Sequence, residues 1–173
     1  SWHAGLVGRY LMEDLAGLSP HVELASEFRY RKAPIDDHTL VIAISQSGET
    51  ADTLAAMEEA TRKGARQITL CNYAGTQTTR VADGTLLIRA GLEIAVASSK
   101  AFTCSLVSLY LLAMHLGIKR GTLVEERVDE LVQELAHLGS VRLARAIEQR
   151  TGVRLSAQHV RALRQQARRF AAG

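Results

Sequence analysis

The stretch HTLVIAIS, residues 38–45, sets the strongest limit on the fold. Five consecutive apolar residues, three of them β-branched, run into a small polar loop. Such a run suits a strand covered on both faces, as in parallel sheets, better than the alternating pattern of a sheet with one wet face. The residues that follow keep the same grammar. Residues 50–63 read as a helix closed by Gly64, RQITLCN (66–72) as a second buried strand and GTLLIRA (84–90) as a third. Residues 98–116 read as a long apolar helix stopped by Gly117, and residues 3–16 and HVELA (21–25) as an opening helix and a short strand. Strands alternating with helices predict an α/β fold, a three-layer parallel sheet with helices on both faces.

After Gly117 the pattern becomes helical only. Val124, Val128, Leu131, Val132, Leu135 and Leu138 recur at helical spacing over 123–138, and Ser156 is placed to cap a helix with the face Val160, Leu163, Ala167 and Phe170. The organisation expected is therefore an α/β domain over 1–117 and a helical extension or linker over 118–173. The whole chain has 173 residues, 47% apolar and 23% charged, enough for one domain with a real core. Residues 1–18 read as an amphipathic helix rather than a secretory signal, and the most apolar stretch, Leu106 to Leu116, is shorter than the roughly 20 residues that a bilayer requires. A cytoplasmic protein without membrane association is expected. Cys71 and Cys104 are far apart and no His cluster has ligand spacing, so buried thiols are expected, with no metal and no cofactor. The net charge of +3 comes from the tail: residues 139–173 hold eight arginines and one acid, Glu148. With one aromatic and a regular apolar face, that tail fits a linker helix better than a nucleic-acid grip.

The segment ISQSGETADT, residues 44–53, places four hydroxyl side chains and a glycine directly after the first long strand. In open α/β sheets ligands bind beyond the carboxyl ends of the strands, where helix N-termini present free N–H groups and positive partial charge. Ser45 ends the strand, Gly48 permits close backbone approach and Thr50 begins the helix, the layout of an anion cradle. Ser45, Ser47 and Thr50 add hydroxyls and Gln46 an amide. The lysine and the GxxxxGK[ST] spacing of triphosphate loops are absent, so a monophosphate suits the loop better than ATP. Spacing alone leaves a second reading open, in which the loop is Ser/Thr-rich through ordinary helix capping.

SQSGETADTL (45–54) resembles the signature loop of the sugar isomerase (SIS) domain, in the form found in the glutamine–fructose-6-phosphate aminotransferases. ASEFRYR (25–31), EIAVASSKAFT (93–103) and the GRYLMEDLAG helix are similar to segments of the same family, in the same order and at matching separations over about residues 1–117. Ala95, where the family usually has Gly, and Ser99, where Thr is common, are mild departures. The resemblance implies transfer of ammonia from glutamine to fructose 6-phosphate to give glucosamine 6-phosphate. It implies that Ser45, Gln46, Ser47 and Thr50 hold the sugar phosphate with help from Ser1. It also implies that the Val96 backbone lies against the sugar with Ser98 close by. These are binding roles; no catalytic residue is assigned.

The family's whole enzyme adds a glutaminase domain with an N-terminal cysteine and a second SIS domain whose half carries the reacting lysine, histidine and glutamate. None of these is present here, and the first SIS strand is expected to be missing too. The expectation is a fragment whose partners are those two domains, in a homodimer, and which is inactive alone. The alternative is a stand-alone SIS module that senses a sugar phosphate without chemistry. Glu49 reads either as a general base or as an acid placed by the helix dipole, and Lys100 as a Schiff-base candidate or a structural residue. Arg29 and Arg31, within Glu27 to Arg31, read as phosphate ligands or as a subunit contact.

Overall fold

The computed structural model describes residues 1–92, 98–124, 127–128 and 130–132. They divide into two compact units. The first comprises Ser1–Trp2 and Val22–Leu92, and the second comprises His3–His21 with the described residues from Ser98 onward.

Three parallel strands organise the first unit: β1 (Leu40–Ile44), β2 (Arg66–Cys71) and β3 (Gly84–Leu87), in the order β1-β2-β3. Leu40 lies opposite Arg66 and Ile44 opposite Leu70; Ile68 lies opposite Gly84 and Cys71 opposite Leu87. The central strand is the best covered, with Leu70 and Cys71 fully buried. With a short helix α2 (Ala25–Phe28), a long helix α3 (Ala51–Arg62) and a second short helix α4 (Gln77–Val81), this is the α/β architecture expected from the sequence.

Helix α3 follows β1 as predicted. Its apolar face of Ala56, Met57 and Ala60 is buried, Arg62 sits in its last turn, and the chain leaves through Gly64 at φ +81°. β3 stops earlier than the predicted 84–90. The Ile88 N–H continues the ladder to the Cys71 carbonyl, but Arg89 turns to φ +48°, outside any strand conformation.

HVELA does not form a strand. The Leu24 carbonyl accepts the N–H groups of Glu27 and Phe28 at 3.0 and 2.9 Å, which winds the end of this segment into α2. A strand also needs a ladder partner, and among the described residues none pairs with it. Helix α4 was not anticipated, because QTTRV carries no apolar periodicity.

The second unit is built on α1 (Trp2–Ala16) and α5 (Ser99–Arg120). α1 ends with Gly17 in the left-handed region at φ +58° and a bond from the Leu18 N–H back to the Met12 carbonyl at 3.1 Å. Its last carbonyls are satisfied from α5 and beyond: Arg120 Nε donates to Ala16 O at 2.8 Å and Thr122 Oγ1 to Leu15 O at 2.9 Å. Gly117 does not stop α5, which runs on to Arg120 and caps at Gly121 with φ +72°. A Cβ at Gly117 would stand 2.5 Å from the Leu15 carbonyl oxygen, so this glycine lets the two backbones touch.

At 22 residues α5 is long and apolar enough to cross a membrane by length and composition alone. The argument from the shorter stretch Leu106–Leu116 is therefore superseded. What marks α5 as a core helix is burial: Leu106, Leu109, Ala113 and Met114 are all buried. Cys71 and Cys104 are buried free thiols. Of the predicted helix 123–138, residues 127–128 and 130–132 are described and helical, with Leu131 buried. Leu123 and Val124, where that helix was expected to begin, are not helical; its other residues, the predicted helix after Ser156 and the arginine-rich tail lie outside the described residues.

Candidate functional site

The loop between β1 and α3 has its hydroxyls gathered at one point. Thr50 Oγ1 lies 3.3 Å from Ser45 Oγ and 3.5 Å from Ser47 Oγ. Ser45 Oγ also accepts the Gly48 N–H at 3.1 Å, and Ser47 Oγ accepts the Glu49 N–H at 3.2 Å, so two of the three hydroxyls shape the loop. Thr50 occupies the N-cap position of α3 in an extended conformation, yet its side chain makes no capping bond. Ordinary capping would have turned that oxygen onto the helix N–H groups. Instead it faces the two serines, and the first turn of a twelve-residue helix keeps its dipole end uncapped by that residue.

A second segment braces this loop from the carboxyl end of β2. The Asn72 N–H donates to the Gln46 carbonyl at 3.0 Å and the Thr78 N–H to the Gly48 carbonyl at 3.1 Å. Glu49 Oε1 accepts the Gln77 N–H at 2.9 Å, at the start of α4. Gly48 has φ +69°, and a Cβ there would lie 2.3 Å from Thr76 Oγ1 and 2.8 Å from Thr78 Oγ1. Glu49 also makes a bond that neither reading of it foresaw: its Oε1 ties the start of α4 to the loop. The turn-rich sequence NYAGT (72–76) was the available signal for this brace.

The structure thus brings Ser45, Ser47 and Thr50 together, with Gln46 between them. Ser1 is exposed and directly precedes α1. Ser98 belongs to the other unit, where it sits at the N-cap of α5 in a left-handed conformation, φ +33° and ψ +41°. Val96 lies outside the described residues. Lys100 is exposed in the first turn of α5. Both arginines of the EFRYR segment have carboxylate partners: Arg29 Nη1 lies 2.8 Å from Asp52 Oδ1 in the first turn of α3, and Arg31 Nη2 lies 2.6 Å from Glu23 Oε1. The Arg29 guanidinium also stacks over Tyr30 at 4.9 Å.

A parallel sheet whose first strand runs through a hydroxyl loop into a helix N-terminus defines an α/β domain. The SIS domain profile matches residues 1–115, and the chain belongs to the SIS domain family. Its relatives include the glutamine–fructose-6-phosphate aminotransferase (isomerizing) of Clostridium tetani, 52% identical over 135 residues that make up 78% of this chain and 22% of that protein. The enzyme of the same name from Thermus thermophilus is 45% identical over 168 residues, 97% of this chain and 27% of that protein. The chain therefore spans about a quarter of the length of these curated relatives. Among solved structures, the C-terminal domain of glucosamine-fructose-6-phosphate aminotransferase from Francisella tularensis superposes with a TM-score of 0.75 at 33% identity, over 86% of this chain and 44% of that one. Glucosamine-6-phosphate deaminase from Thermotoga maritima shares the fold, with a TM-score of 0.64 at 22% identity over 80% of this chain and 43% of that one.

Proposed function

We propose that the chain binds a sugar phosphate, fructose 6-phosphate or glucosamine 6-phosphate, as the substrate-holding part of a glutamine–fructose-6-phosphate aminotransferase. That enzyme converts fructose 6-phosphate and glutamine into glucosamine 6-phosphate and glutamate in amino sugar biosynthesis. The observation that carries the reading is the Thr50 side chain, which leaves α3 uncapped and joins Ser45 and Ser47 in one hydroxyl cluster. A phosphate seated there accepts hydrogen bonds from hydroxyls and from first-turn N–H groups, all oriented before the ligand arrives. Gln46 adds an amide, and Ser1 of the same unit helps to hold the ligand in this reading.

The partners in this reading are a second SIS domain, a glutaminase domain and a second copy of the chain, in the cytoplasm. Ser47→Ala and Thr50→Ala each remove a hydrogen bond to a charged group, worth about 1.5–3 kcal/mol. Calorimetric titration with fructose 6-phosphate should show that loss in both variants. Unchanged affinity in both would remove the loop from the binding site.

Chemistry is a separate matter. Making an aminoaldose phosphate from a ketose phosphate needs an ammonia source, a group that captures the carbonyl and a base that moves a proton between adjacent carbons. Ser45, Ser47 and Thr50 carry hydroxyls only, and Glu49 spends one carboxylate oxygen on α4. The 173-residue chain is expected to form no glucosamine 6-phosphate from fructose 6-phosphate and ammonium, as followed by mass spectrometry. Turnover abolished by Glu49→Gln or Lys100→Ala would place the chemistry on this chain.

A further inference from the structure

Asn72 stands at the carboxyl end of the central strand, only 8% exposed, with both polar atoms of its side chain hydrogen-bonded. Oδ1 accepts the Ala90 N–H at 2.7 Å and Nδ2 donates to the Gly91 carbonyl at 2.8 Å. Its backbone N–H, as described, holds the Gln46 carbonyl. One residue thus ties the anion loop after β1 to the turn after β3, across the end of the strand between them.

That turn is a conformation the chain would not keep unaided. Arg89 sits at φ +48° and Gly91 at φ +72°, and a left-handed arginine persists only where its surroundings over-determine it. The two bonds from the Asn72 side chain fall on the two residues that follow Arg89, where they fix the turn's path.

We infer that Asn72 is a positioning residue that sets the turn Arg89–Gly91 as the wall meeting the sugar end of a ligand whose phosphate lies in the Ser45–Thr50 loop. The inference rests on the sugar-phosphate reading of that loop. Its logic is a division of labour. The phosphate is gripped through the loop, whose tie to Asn72 is a backbone bond that any side chain preserves. Recognition of the sugar depends on the turn, whose ties are the side-chain bonds.

Two ligands and two variants separate these roles. Asn72→Ala should weaken binding of fructose 6-phosphate at least about tenfold and leave inorganic phosphate within about twofold, because only the turn is released. Hydrogen exchange of the unliganded variant should rise at Ala90 and stay unchanged at Ser45. Asn72→Asp, which keeps the acceptor for Ala90 and loses the donor to Gly91, should recover part of the preference for the sugar phosphate. Equal losses for both ligands, or no loss for either, would make Asn72 a purely structural residue and overturn the inference while the sugar-phosphate reading stands. Failure of the unsubstituted protein to bind fructose 6-phosphate would instead overturn that reading, and this inference with it.

Discussion

Gly48→Ala is expected to destabilise the protein and abolish sugar-phosphate binding together. Two costs combine at this position. The left-handed backbone, φ +69°, penalises any L side chain by about 1–2 kcal/mol. The new methyl would also fall 2.3 Å from Thr76 Oγ1 and 2.7 Å from Thr76 Cβ, with Thr78 Oγ1 at 2.8 Å. Overpacking of this kind costs roughly 1–3 kcal/mol when neighbours shift. Thr76 and Thr78 are buried, and the Thr78 N–H is bonded to the Gly48 carbonyl, so the neighbours have little room to give. Thermal melting should fall by roughly 10 °C for a chain of this size. The relief that does occur moves the loop off α4, opening the Glu49–Gln77 bond and misplacing Ser47 and Thr50. Gly48→Asn separates the two costs, since asparagine tolerates the left-handed region and still fills the same space. If crowding dominates, the extra atoms of asparagine leave it no more stable than Gly48→Ala; if the backbone cost dominates, it is the more stable of the two. A Gly48→Ala protein that melts and binds like the original would refute the crowding of this loop.

The second large effect reverses an ordinary rule. Alanine in place of glycine inside a helix stabilises by about 1 kcal/mol on propensity. At Gly117 the same change should destabilise by roughly 1–3 kcal/mol, because the added Cβ would meet a backbone oxygen, that of Leu15, at 2.5 Å and Leu123 Cβ at 3.1 Å. A backbone carbonyl that also accepts from Thr122 Oγ1 cannot swing aside as a side chain does. Gly8→Ala is the internal control. There the three nearest atoms to the Cβ all belong to the Leu109 side chain, the first at 2.9 Å, whose rotamers can adjust. Chemical denaturation should rank Gly117→Ala clearly below Gly8→Ala. The opposite order would mean that Gly117 serves propensity rather than contact.

These glycines show which parts of the fold could be read from the sequence. The strands β1 and β2 and the helix α3 were legible because their signals are local: apolar runs, a hydroxyl turn and a closing Gly64. Gly117 carries the same local signal as Gly64 and means something else, since close approach to Leu15 is a property of two helices more than 100 positions apart in sequence. HVELA has strand composition, but composition does not supply a ladder partner, and the Leu24 carbonyl turns into α2 instead. The hydroxyl cluster of Ser45, Ser47 and Thr50 was legible from spacing, whereas the direction of the Thr50 side chain was not. The brace from Asn72, Gln77 and Thr78 showed in the sequence only as a turn-rich stretch, because it joins segments about 30 residues apart and two of its three bonds run between backbone groups that every sequence possesses. Arg29 and Arg31 read as phosphate ligands or as a subunit contact, and the carboxylate partners they have, Asp52 and Glu23, were not legible from spacing.

The central claim, that the loop after β1 holds the phosphate of a sugar phosphate, meets its most direct test in amide chemical shifts. The isotopically labelled protein would be titrated in parallel with fructose 6-phosphate and with fructose. The account predicts saturable shifts at the backbone amides of residues 46–53, centred on the first turn of α3, with the phosphorylated sugar only. Shifts of equal size with fructose, or none in this segment with fructose 6-phosphate, would contradict it.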